Sequence, residues 1–213
     1  MAPDTAKETD TMNTPVPSTR RRRGALLLLA AAAMVALSGC KGGDLVSYDL
    51  PAKSARYTFE TQTNDVKTVW QYTSAKATKD DAPTQSPCIG ESVGSNQAAC
   101  RPEPLIFLRY DFDLALDNTA KAGENHEVTI VGYYQQRLTD LPKVTSLKAE
   151  TTFDGGSTWH PATTKATGKN TFTTTIKNPR RDQAAQGVGL RISATDSQGN
   201  TVRQTIPTAY TLR

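Results

Sequence analysis

The chain has 213 residues, 37% of them hydrophobic and 22% charged, with a formal net charge of +4 at neutral pH. That apolar content excludes a disordered chain, and the length suits one domain or two small ones. Residues 1–39 hold five basic and three acidic side chains, which leaves 20 basic and 18 acidic beyond them. So small an excess gives no warrant for a nucleic-acid partner, and two histidines with three cysteines supply few parts for metal or nucleophilic chemistry.

The first 19 residues have no apolar period and read as disordered, with Met12 as an alternative start to Met1. Arg20 to Arg23 follow, then an unbroken apolar run over 25–37, then Ser38-Gly39-Cys40. A charged segment, a short apolar segment and small residues at its end are the parts of a secretory signal. The run is shorter than the ~20 apolar residues of a bilayer span. Leu37-Ser38-Gly39-Cys40 resembles the lipobox of bacterial lipoproteins. The resemblance implies cleavage before Cys40, a diacylglyceryl thioether on its sulfur, and an extracytoplasmic protein held to the membrane by lipid. One acyl chain holds only marginally and two give stable attachment. Gly24-Ala25 after the arginines departs from the twin-arginine pattern, so Sec export is expected. Residues 1–39 are thus read as signal peptide and 40–54 as lipidated cysteine and tether.

With Cys40 assigned to lipid, Cys88 and Cys100 remain, an even pair in an oxidising compartment. A disulfide between them would close a loop of about a dozen residues, worth ~3 kcal/mol on the chain-entropy model. The alternative is two free thiols.

From residue 45 onward no amphipathic helix is expected, and apolar residues recur with period two. The most regular run is 105–117, with Ile106, Leu108, Tyr110, Phe112, Leu114 and Leu116 on one face and Arg109, Asp111, Asp113 and Asp117 on the other. Similar runs cover 56–63, 67–73, 127–134, 145–153, 171–176, 188–195 and 201–206. Turn chemistry separates them at Asp154-Gly155-Gly156, Lys177-Asn178-Pro179 and 196–200. The fold class expected is all-β, an immunoglobulin/fibronectin-III-like β-sandwich with additional N-terminal strands. Residues 105–213 are the sandwich. Residues 55–104 carry extra strands and a disulfide loop, docked on the sandwich or forming a second small β-unit.

In order and spacing, Tyr57-Thr58-Phe59-Glu60-Thr61, residues 68–75, 104–116, Phe153-Asp154-Gly155-Gly156-Ser157-Thr158-Trp159, residues 189–206 and Ala209-Tyr210-Thr211-Leu212 resemble the C-terminal accessory β-region of secreted subtilisin-like serine proteases. The resemblance covers roughly 55–213 and lacks the family's catalytic segments. It implies an accessory region without a protease domain, and no catalytic residue is carried over.

Gly90-Glu91-Ser92-Val93-Gly94 fits the nucleophile-elbow spacing, which needs a strand before it and a helix after it. Neither is expected, so Ser92 reads as part of a glycine-rich loop. The phrase Thr152-x-Asp154-x-Gly156-x-Thr158-Trp159 resembles the Asp-box of sialidases. A single copy implies a stabilised hairpin, with a glycan site as the alternative. Asp111, Asp113, Asp117, Asp196 and Asn200 offer oxygens for calcium, but as turn and solvent-face residues they need no ion. His126 and His160 border predicted turns and read as solvated. The stretch 163–175 reads as an edge hairpin of threonines.

The sequence therefore predicts a non-catalytic, lipid-anchored surface module without cofactor, with a binding or structural role. Its expected partners are the membrane through Cys40 and an exported protein, a serine protease domain or a cell-wall glycan. A carbohydrate-binding module is the alternative, with Trp70, Trp159, Tyr133 and Tyr134 as candidate stacking residues, although both tryptophans sit where the pattern also wants core.

Overall fold

In the computed structural model, residues 49–78, 81, 101–135, 138 and 140–213 are described. Cys40, Cys88, Cys100 and Ser92 lie outside them. Period-two patterning becomes strand almost throughout. β1 (Ala55–Thr63) and β2 (Val66–Ser74) form a hairpin, with Asn64 in the left-handed region (φ 51°) at its turn. Then come β3 (Phe107–Asp111), the short β4 (Thr119–Ala120), β5 (Asn125–Tyr133), β6 (Val144–Thr152), β7 (His160–Gly168), β8 (Thr171–Lys177), β9 (Val188–Asp196) and β10 (Thr201–Leu212).

The strand order is β1-β2-β10-β9-β6-β7-β8-β5-β3, with every neighbour antiparallel, while β4 runs parallel to the end of β10. β7 changes partner along its length. His160 to Ala162 pair with β6, and Thr163 to Gly168 pair with β8. The sheet can therefore curl on itself. Alternate residues of both arms meet in one core: Val128, Ile130, Phe172 and Ile176 from β5 and β8, and Trp70, Leu190, Ile192 and Val202 from β2, β9 and β10. Trp70 links the arms by donating its indole N–H to the Ile106 carbonyl (2.8 Å). Tyr110 does so by donating to Gln204 Oε1 (2.8 Å). β2 joins the sheet through β10, with Gln71 opposite Thr201 and Lys67 opposite Thr205.

Two expectations need correction. The run 105–117 is not one strand: β3 ends at Asp111, Asp113 adopts φ 46°, and the chain re-enters the sheet as β4 against β10 instead of β5. Its apolar parity survives the bend as far as Leu114, since Phe112 and Leu114 still pack on the core, but Leu116 is fully exposed. Partner exchange, which period two does not encode, breaks the strand. The threonine hairpin is also not an edge. β8 lies between β7 and β5, and Thr174 is completely buried, with its hydroxyl 3.1 Å from that of Thr164.

Candidate binding surface

The candidate aromatic residues do not gather. Trp70 is 7% exposed and lies in the core between Phe59 and Phe107 (ring centroids 5.5 and 5.9 Å away). Tyr134 is buried and donates to Asp196 Oδ2 (3.0 Å). Burial, and then the neighbouring Asp196 carboxylate, push its phenol well above the ordinary tyrosine range. Tyr133, on the opposite face of the chain, is 46% exposed and rests on Phe107. Trp159 is half-buried, and the Arg191 guanidinium covers one ring face at 4.4 Å. The four residues form no exposed row.

The Asp-box phrase folds as a self-contained turn. Asp154 accepts from the Thr158 N–H (2.9 Å) and hydroxyl (2.6 Å) and from the Thr152 hydroxyl (2.7 Å). Those bonds, the Thr158 hydroxyl foremost, hold its carboxyl far below the usual range. Gly155 and Gly156 take φ 70° and 97°, and Trp159 closes the loop by donating to the Gly156 carbonyl (3.0 Å). The β9–β10 loop is closed likewise. Gly199 takes φ 79°, while Asp196 accepts from the backbone of Gln198 and Asn200 and from the Asn200 amide, each at 2.9 Å. Asp111 and Asp117 accept bonds from residues two positions on, Asp113 and Thr119. Among the described residues no group of three or more His, Cys, Asp or Glu is placed to hold a metal ion.

The histidines divide. His160 is exposed, near the Thr158 hydroxyl (3.5 Å). His126 is not the solvated residue expected. It starts the inward face of β5, its ring lies 5.2 Å from that of Tyr210, and its Nε2 is buried with no hydrogen-bond partner among the described residues. A shallow cavity of about 210 Å³ beside it is lined by Asp113, Lys121, Glu124 and Arg213.

A larger concavity lies on the outer face of β2, β10 and β9, a depression of about 540 Å³ lined by Lys67, Gln71, Arg191, Ser193, Thr201 and Arg203 among others. Strand register explains the grouping, because inward residues alternate with these outward ones. Arg203 stands opposite both Val69 and Ser193, and Lys148 of β6 stands on the far side of Ser193. Small Ser193 thus sits between two exposed cations. Arg191 is bound bidentately to Glu150 (both 2.7 Å), and that bonding holds the Glu150 carboxyl below its ordinary range. Lys67 pairs with Glu60 at 2.6 Å.

Sequence reasoning singled out none of these residues. The signal was present as the polar half of the alternation, Arg191-x-Ser193-x-Thr195 and Thr201-x-Arg203-x-Thr205, but only strand order brings the two rows together. It also missed Glu103, whose Oε1 accepts from Ser74 (3.0 Å) while Oε2 is buried with no hydrogen-bond partner among the described residues. Desolvation raises its pKa above the ordinary value, against the opposing pull of Ser74 and Arg101. Scans of protein-family models, of curated proteins and of solved structures each find no match to this chain.

Proposed function

We propose that the protein is a non-catalytic β-sandwich module, lipid-anchored at Cys40 outside the cytoplasmic membrane, that binds an exported protein partner through the outer face of β2, β10 and β9. The immunoglobulin/fibronectin-III class is supported by the strand neighbours. β3-β5-β8-β7 follows the order of one sheet of that sandwich and β6-β9-β10 the other, with β2 and β1 added beyond the last strand. A Cys88–Cys100 disulfide belongs to the same reading, on the arithmetic of an exported chain.

One observation carries the choice of a protein partner over a glycan. Trp70 is in the core and Trp159 has one face under Arg191, whereas sugar recognition by stacking needs bare aromatic faces. The face that is open instead offers hydroxyls, an amide and the exposed guanidinium of Arg203, with exposed Lys148 across Ser193, which suits a polar protein surface of complementary charge. The Asp and Asn side chains of the loops support the non-catalytic reading, since their oxygens are committed to backbone and neighbouring donors.

The test is affinity capture of the anchored protein from its own membranes with mass spectrometry, alongside Arg203→Glu and Lys148→Glu. A partner retained by the wild type and lost with both variants supports the reading. Binding to cell-wall polymer that survives both variants and disappears in Trp159→Ala would favour the carbohydrate module.

A further inference from the structure

The two ends of the sheet differ. β3 is five residues long and runs into the left-handed Asp113. β1 is nine residues long, pairs with β2 in unbroken register, and has only that one strand neighbour among the described residues. Exposed edges are usually blunted by charged side chains, proline, a bulge or shortness; β1 (ARYTFETQT) is long and has no proline, lysine or bulge, and its two charges, Arg56 and Glu60, are opposite in sign. Its outward backbone groups are a template for another strand.

We propose that β1 pairs with β1 of a second copy of this chain, antiparallel about a two-fold axis at Thr58, so that the sheet runs on through the dimer. The sequence of the strand is self-complementary in that register. Arg56 falls opposite Glu60 of the second copy and Glu60 opposite its Arg56, Tyr57 opposite Phe59, and Thr58 opposite Thr58. The parity is right for antiparallel pairing, because each residue meets one whose backbone groups point the same way. The faces also agree. Arg56, Thr58 and Glu60 share the outer face with Thr73, Gln71 and Val69, while Tyr57 and Phe59 share the inner face with Tyr72 and Trp70. A two-fold normal to the sheet preserves both faces and makes a closed isologous contact.

Both charged residues have capacity left for the new partner. Among the described residues Arg56 uses only Nη2, towards the Gly199 carbonyl (3.1 Å), and Glu60 uses Oε1, towards Lys67. Cross-strand ion pairs and aromatic pairs are the side-chain interactions that add to strand pairing. Charge complementarity in this register selects a second copy over an unrelated strand. The proposal stands apart from the outer-face reading, since its contacts lie at the edge of β1.

The test uses the full-length protein in detergent. Light scattering after gel filtration should give a dimer, and Thr58→Cys should cross-link across the axis under mild oxidation above the background of the native cysteines. Gln62→Cys, which faces residue 54 and so stands roughly 27 Å from position 62 of the second copy in this register, should not. Arg56→Glu and Glu60→Arg should each weaken association by about tenfold or more, and the double exchange Arg56→Glu/Glu60→Arg should restore it. A monomer throughout, equal cross-linking at positions 58 and 62, or indifference to the single reversals would overturn the proposal. If a reversal unfolds the chain, the cysteine comparison decides alone.

Discussion

Asp196→Ala removes the acceptor at the centre of a buried polar cluster. Asp196 and Asn200 are 3% and 2% exposed. Losing the carboxylate strips partners from the Asn200 N–H, the Asn200 side-chain amide and the Tyr134 hydroxyl. The Gln198 N–H, at an exposed residue, finds water instead. Each buried donor left unpaired costs ~1–3 kcal/mol, and partial relaxation of the loop brings the sum for three to about 3–5 kcal/mol. The cluster also reaches β2, because Asn200 Oδ1 accepts from the Thr73 N–H (3.2 Å), so its loss loosens the added strands as well. Urea unfolding should show a lower midpoint at unchanged m-value, with Tm down by roughly 6–20 °C for a chain of this size. Tyr134→Phe alone should cost about 1.5–3 kcal/mol, and the double variant should cost less than the sum, since the two residues share one bond. A loss below about 1 kcal/mol for Asp196→Ala would refute the reasoning, because all three donors must then have found new partners.

Trp70→Ala should cost about 3–5 kcal/mol by the size of the cavity it leaves, whereas Trp159→Ala should leave the unfolding midpoint much closer to wild type, which paired denaturation curves would check. The raised pKa of Glu103 means the folded state holds its proton more tightly than the unfolded state. Its contribution is therefore present below pH 4.5, the ordinary value for Glu, and is lost as pH rises through the folded value. Glu103→Gln should accordingly gain stability relative to wild type as pH rises through that window, measured by urea midpoints at successive pH values. Cys40→Ser should release or misprocess the protein, and unchanged partitioning into detergent and membrane would contradict the anchor.

Strand positions were legible where one face meets the core and the other meets water, as at β2, β6 and β9, since every second residue then reports burial. The break after Asp111 was not legible, because Phe112 and Leu114 keep the apolar parity while the backbone changes partners. β7 was merged into an edge hairpin for a related reason: its threonines suit any pleated surface and do not reveal that His160 to Ala162 pair with a different strand from the remainder. The aromatic candidates illustrate the same limit. Trp70 and Trp159 look alike in sequence, and only the meeting of distant strands buries one and sets Arg191 over the other. Loop chemistry was clearer, because Asp154-Gly155-Gly156 and 196–200 contain their own acceptors and left-handed positions.

Site-specific photocross-linking in membranes tests the binding face most directly. A photoreactive phenylalanine analogue placed at Ser193 should trap the same protein partner as one at Thr201, and Arg203→Glu should abolish both adducts. The same probe at Lys169, on the β7–β8 turn, should trap none. Adducts confined to Lys169, or equally strong at all three positions and indifferent to Arg203→Glu, would contradict binding through the outer face of β2, β10 and β9.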